Sequence, residues 1–339
     1  MNNKIIRTVC YFDKEPSPES IKKIDKIANS LIGKGFLIQT KRVCSPSISK
    51  IIELDSKYAS DSYIFGVGSL QRDEISRRIN NLLSCKDTSF NLDLTGKKIT
   101  IEDARLLFEI IGNRPGKTFN FTYVFNNQLS SPFFPSGSYH QDGFSIGLQP
   151  TDLSEDCNSI EEWLDKMKGA WMEIHDLFKG VPEFLGIDSS IAPLFSGKSS
   201  LAGFIKKLGL DFSHSATTNT FLKITKFIKE NNPKPVGLCG LMFPCLEDFE
   251  LAEEYENGNF SIERNVFLSL HSGLGIDTYP IGIDEKPERV LEILQLEQGL
   301  SAKYEKPLSA RFVSDGKAKI GGRTDFQNQY LKDVKVRPL

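Results

Sequence analysis

Apolar positions recur along this chain with two alternating periods, and the alternation predicts its elements. Residues 5–12 are apolar and β-branched, the composition of a strand. From Pro18 to about Gly33 the positions Ile21, Ile24, Ile27, Ala28 and Leu31 fall on one side of a helix, which Gly33 or Gly35 closes. Residues 36–43 read as a second strand, 47–57 as a helix after Pro46, 62–67 as a third strand and 71–83 as a helix. A stretch of mixed character runs to 98, followed by a helix over 101–111 and a strand over 118–125. The second half gives strands over 144–148, 184–188, 236–241, 277–281 and 308–312. Its helices fall over 160–179, 197–207, 217–229, 247–256, 260–270 and 287–300, the first opened by the capping-box pattern Ser159-Ile160-Glu161-Glu162. Strands separated by helices of about 10–15 residues indicate an α/β architecture. An open doubly wound sheet and a closed barrel fit this periodicity equally well. With no long linker and no internal repeat, residues 1–339 read as a single domain with a short C-terminal extension beyond the Gly321-Gly322 turn.

Composition narrows the possible partners. Hydrophobic residues make up 39% and charged residues 25%, ordinary for a folded globule. The net charge of -2 and the mixing of Lys and Arg with Asp and Glu leave no positive stripe for nucleic acid. The short basic clusters, Lys206-Lys207 and Lys223 to Lys229, alternate with apolar residues as solvated helix faces do. No run of 18 apolar residues is present, so no membrane span is expected. The 6 cysteines are too widely spaced for a zinc ribbon or redox pair, and Met1-Asn2-Asn3-Lys4 leads straight into the first strand without a signal-peptide pattern. Free thiols in a reducing cytoplasm are expected, with homo-oligomerisation the default for an enzyme of this size.

Six places could carry chemistry. His140 and Asp142 lie in a loop stiffened by Pro132 and Pro135, directly before a strand, where an imidazole could serve as base or metal ligand. Asp188 closes an apolar strand in Gly186-Ile187-Asp188-Ser189-Ser190-Ile191-Ala192-Pro193, the place where α/β folds line a ligand crevice; the same letters also suit a capped turn. Ser213-His214-Ser215-Ala216-Thr217-Thr218-Asn219 precedes a helix and reads equally as an anion nest or as helix capping. Cys239 and Cys245 have no base nearby in sequence and read as structural thiols, and His175 as a structural side chain within its helix. His271 ends a helix whose dipole would favour the imidazolium, and the glycines after it deliver Asp277 to a strand start. Arg311, with Gly321-Gly322-Arg323 after it, could hold a carboxylate or phosphate through its fork, or be salt-bridged.

The run 186–193, the loop Ser213 to Thr218, the segment Gly237 to Pro244, Gly275-Ile276-Asp277 and Ser309-Ala310-Arg311, in that order, resemble the DUF711 family, also called UPF0210, over roughly residues 5–325. Phe133-Phe134-Pro135 with His140 is similar to its archaeal branch. The matched positions are His140, Asp188, Thr217, Thr218, Gly240, Asp277, Arg311 and Gly321-Gly322. The chain departs from the family where His214-Ser215-Ala216 replaces a more glycine-rich run and where Arg323 stands in place of a small or apolar residue. The resemblance implies a ten-stranded α/β barrel of the pyruvate formate-lyase type. It implies no glycyl radical, and the chain agrees in having no adjacent cysteine pair. It names no substrate.

Taken together, the candidates suggest a metal-assisted enzyme acting on a small anionic metabolite that bears a phosphate or carboxylate. Asp188, Asp277 and His140 would be its acid/base groups and the ligands of a divalent ion, Mg or Ca. Thr217, Thr218, Arg311, Gly321 and Gly322 would hold the anion. The alternative is a non-catalytic small-ligand-binding or sensor protein with the same cavity but no acid/base pair at reacting distance.

Overall fold

The computed structural model describes residues 4–60 and 62–339; the first three residues, on which the reading of the N-terminus rests, lie outside them. Its strands are β1 (Lys4–Phe12), β2 (Phe36–Cys44), β3 (Tyr63–Leu70), β4 (Thr88–Asp93), β5 (Phe121–Phe125), β6 (Gly143–Leu148), β7 (Phe184–Asp188), β8 (Gly275–Pro280) and β9 (Leu308–Val313). The chain forms two compact units, each assembled from three separate stretches. Both mix strands of a sheet with covering helices, so the α/β expectation holds.

The first unit comprises Met1–Asn91, Gln128–Ile191 and Lys223–Gly240. Its strands lie in the order β7-β6-β1-β2-β3-β4, with β1 parallel to β2 and antiparallel to β6. The helix Pro18–Ile32 connects β1 to β2, capped by the Ser17 hydroxyl, and buries Ile21, Ile24, Ala28 and Leu31. Trp163 and Trp171 of the helix Ile160–Phe178 are fully buried, and the Trp163 indole donates to the Pro150 carbonyl at 2.7 Å. The register pairs Thr8 with Thr40 and Gly147, and Cys10 with Arg42 and Ser145. Paired residues share a face, so one face of this sheet carries buried hydroxyls and a guanidinium where aliphatic side chains would be usual.

The second unit comprises Leu92–Asn127, Ala192–Leu222 and Leu241–Leu339. There β9 lies between β5, to which it is antiparallel, and β8, to which it is parallel. The helices Leu201–Lys207 and Phe249–Glu256 are organised by one side chain: buried Asp248 accepts from the amides of Leu201 and Ala202, from Leu251 N and from the Ser200 hydroxyl.

Two elements differ from expectation. Residues 236–241 do not form a strand. Only the segment around Pro235 bridges Ile187, after which Gly237 at φ 73° and Cys239 at φ 46° turn the chain, and the Leu238 and Cys239 amides go to a side chain instead of a ladder partner. Conversely, Thr88–Asp93 within the mixed stretch is the strand β4, although Ser, Asn and Asp are poor strand formers; five of its six residues are buried, and packing overrides propensity.

Candidate functional site

Asp188 is the most heavily engaged of the expected site residues. It ends β7, is fully buried, and its two carboxylate oxygens accept five hydrogen bonds. Ser190 N (3.0 Å), Ser190 Oγ (2.5 Å) and Cys239 N (3.0 Å) donate to Oδ1, while Ser131 Oγ (2.7 Å) and Leu238 N (2.9 Å) donate to Oδ2. Consecutive amides converging on an anion form a nest, and here the anion is supplied by the chain itself. A Cβ on Gly237 would lie 2.3 Å from Asp188 Oδ2, so the approach of this loop depends on the bare glycine. Cys239, half-buried beside the nest, has its thiol pushed up to about 11 by burial and by the Asp188 charge, so it is a poor nucleophile there.

Through Ser131 the same carboxylate anchors the proline-rich loop. Residues 130–138 lie on the polar face of the first unit's sheet, and the strand side chains hold the loop by its backbone carbonyls. Arg42 Nη1 donates to Pro132 O at 3.0 Å, Asn91 Nδ2 to Pro135 O at 2.8 Å, and Ser145 Oγ to Ser130 O at 2.8 Å. Phe133 sits over Gly147 and Phe134 over Gly66, each so close that a Cβ would come within 2.7 and 2.8 Å of the ring respectively. The Arg42 guanidinium also lies 5.0 Å from the Phe134 ring centroid. The polar strand positions thus take over the hydrogen bonding of an irregular loop. At its far end His140 and Asp142 are exposed, and Asp142 accepts from Lys14 N and from the Tyr139 hydroxyl.

In the second unit the structure brings Arg311 and Asp277 together and adds Glu247, a residue that no sequence pattern singles out. Arg311 on β9 donates from Nε to Asp277 Oδ1 at 2.6 Å, from Nη2 to Glu247 Oε1 at 2.5 Å, and from Nη1 to Phe119 O at 3.3 Å. Its guanidinium stands 5.2 Å from the Phe119 ring centroid. Burial opposes the Arg311 charge, yet Asp277 and Glu247 together hold its pKa above the ordinary arginine value. The Arg311 and Glu247 side chains are 8% and 6% exposed, whereas Asp277 is 15% exposed and its Oδ2 accepts no hydrogen bond among the described residues. Next to it Thr278 has a left-handed backbone (φ 40°) and a buried hydroxyl without a partner among the described residues, the kind of local strain that clusters at functional sites.

The other expected anion-binding residues have local engagements. The Thr217 and Thr218 hydroxyls donate to His214 O and Ser215 O, and Thr218 also accepts from Thr220 N, so they shape the entry to the helix Thr220–Asn231. Gly321 N and Gly322 N donate to Val336 O and Lys319 O, which ties this turn to the C-terminal segment. His271 departs from expectation: burial, then the nearby Lys306 charge, holds its pKa below the ordinary value, outweighing the helix terminus. Among the described residues no group of three or more His, Cys, Asp or Glu side chains is arranged to hold a metal ion. None of their helices is long and apolar enough to cross a membrane.

One buried acid lies outside all of these places. Glu297, on the helix Pro287–Tyr304, is fully buried, and neither of its carboxylate oxygens has a partner among the described residues. Burial raises its pKa to about 8, against a smaller opposing pull from Lys306.

No curated protein matches the chain. A family model does, over residues 109–327, and this stretch contains every site residue discussed above from Phe119 to Arg311. With more than half of its length matched, and with the Asp188 and Asp277 motifs folded as described, the chain belongs to the DUF711 family, described as an uncharacterised ACR family.

Proposed function

We propose that the protein is a metal-assisted enzyme acting on a small metabolite that carries a phosphate or carboxylate, with Asp277, Glu247 and Arg311 as its charged centre. The observation that carries this reading is the Asp277 carboxylate, held through one oxygen by buried Arg311 while its other oxygen accepts no hydrogen bond among the described residues. A carboxylate oxygen so placed attracts a cation. A divalent ion on Asp277 would polarise a substrate oxygen and lower the pKa of a bound water. Arg311 orients Asp277 and Glu247 through its fork in this reading. It rests on Asp277 and not on Asp188, whose oxygens are already taken, nor on exposed His140. The six free cysteines support a reducing, cytoplasmic setting, and a homo-oligomer belongs to the same proposal. So do the archaeal branch and the closed, ten-stranded barrel of the pyruvate formate-lyase type, with which the α/β class of the chain is compatible.

Calorimetric titration of metal-stripped protein with Mg2+, Ca2+ and Mn2+ tests the site. Saturable binding of at least one ion is expected, weakened tenfold or more by Asp277→Asn. Binding that Asp277→Asn leaves unchanged, or no binding by any of the three, would sink the reading. The alternative is a non-catalytic binder of small ligands that uses the same Arg311 cluster. That alternative expects ligand binding without turnover of any phosphate ester or carboxylate offered.

A further inference from the structure

We propose that Glu297 and Lys306 form a proton-operated latch on the segment that carries Asp277. While Glu297 holds its proton, the Lys306 ammonium caps the end of the helix Ile262–His271; when Glu297 ionises, it draws the ammonium away. Lys306 Nζ donates to Ser269 O at 2.6 Å and to Gly273 O at 2.7 Å. Ser269 O belongs to the last turn of the helix, whose carbonyls lack intrahelical partners, and a cation there also suits the helix dipole. Gly273 stands four residues before Asp277 and leads directly into β8. One lysine thereby ties down the chain that positions the Asp277 carboxylate.

The backbone places the lysine beside the acid. Lys306 N donates to Ser301 O at 3.2 Å, and Ser301 Oγ donates to Lys306 O at 2.7 Å. Ser301 follows Glu297 by one turn of the helix Pro287–Tyr304, so the two share a face, and both are buried. Neither Glu297 oxygen has a hydrogen-bond partner there among the described residues. A buried carboxylate without hydrogen bonds is strongly disfavoured, so Glu297 keeps its proton at neutral pH and Lys306 stays on the two carbonyls. Loss of that proton to solvent, at a pKa of about 8, leaves a buried anion that the Lys306 ammonium can neutralise. The other charged groups on the surrounding elements are engaged or exposed. Arg311 of β9 holds Asp277 and Glu247, and β5 carries no charge. On the helix Ile101–Asn113, Glu102 pairs with Arg105, Asp103 accepts from Thr100 N, and Glu109 is exposed. On the helix Ile262–His271, Glu263 is exposed, Arg264 donates to the Ser213 hydroxyl, and His271 feels Lys306. On the acid's own helix, Arg289 pairs with Glu292, while Glu288 and Lys303 are exposed.

The test follows the His271 ring protons by NMR in metal-free, full-length protein. Burial and then the Lys306 charge hold the His271 pKa down, so this ring reports where the ammonium lies. Between pH 7 and 9 the neutral ring should show a second inflection that Glu297→Gln abolishes. Lys306→Met should abolish it as well and raise the His271 pKa; an inflection that survives Lys306→Met would show Glu297 acting without the lysine and overturn the latch. Amide exchange at Leu274, whose N–H donates to Leu241 O, is the second readout. Over the same range it should rise at least tenfold beyond the intrinsic effect of pH in the wild type, and follow the intrinsic effect in Glu297→Gln. No second inflection in the wild type, or Leu274 exchange equal in the two proteins, overturns the proposal. The bearing of the latch on function rests on the cation reading of Asp277. Both readouts are taken without metal, so the latch and that reading stand or fall separately.

Discussion

Glu297 sets a charge problem that the fold solves by protonation. Its folded pKa of about 8 lies above the ordinary carboxylate value, so the native state binds a proton that the unfolded chain releases above about pH 4.5. Stability from this group is therefore complete below the unfolded value and is lost as pH rises towards 8. Urea denaturation of the wild type should show stability falling between about pH 5 and 8, by an amount on the order of a few kcal/mol. Glu297→Gln, which keeps the shape without the charge, should flatten that slope and raise stability at pH 8; an unchanged slope would mean that another group carries it. At this scale the sequence was partly legible. Asp277 and Arg311 stood out because a lone acid at a strand start and a lone arginine in a strand are chemically conspicuous. Glu247 and Glu297 did not, because burial creates their importance and a helical or loop glutamate looks the same in sequence whether buried or solvated.

Among elements, the loop 130–138 owes its position to the strands beneath it. Gly66 and Gly147 leave room for the rings of Phe134 and Phe133, and Arg42, Asn91 and Ser145 satisfy its carbonyls. A Cβ at residue 66 would meet Phe134 ring carbons, so Gly66→Ala should expel that ring, cost about 1–3 kcal/mol and open the loop to limited proteolysis. Phe134→Ala removes the clash, so the double variant should be more stable than the sum of the single effects implies; strict additivity would show that the ring and the glycine do not meet. Most helices and strands could be read from periodicity because their burial follows it. The helix Ile160–Phe178 and the strand β7 fall within a residue of expectation. The segment after Pro235 was misread because its apolar letters, Val236, Leu238 and Leu241, resemble a strand. Its amides instead serve Asp188, a long-range bond that no local pattern announces.

For the whole molecule, chain order and spatial order diverge. The first unit needs three separate stretches, and β1 has β2 on one side and β6, more than a hundred residues later, on the other. A fragment ending at residue 127 would leave β1 as an exposed apolar edge. Residues 1–127 expressed alone should be insoluble or unfolded by circular dichroism, and co-expression with residues 128–339 should restore solubility. A soluble, cooperatively folding 1–127 fragment would contradict this account. Composition and periodicity indicated an α/β protein, but they could not show a division into units made of interleaved segments, because the breaks fall at places with no linker-like composition.

The Asp188 nest has a consequence for how this protein can be perturbed. Its carboxylate is tethered two residues from Ser190 and held within a closed loop, so its effective concentration at those amides far exceeds that of any free metabolite. Dissolved acids cannot compete for the place, and screening small anions against it would find nothing. Any lesion at Asp188 would surface instead as low abundance and proteolytic turnover of the chain, a phenotype easily mistaken for a lost catalytic residue.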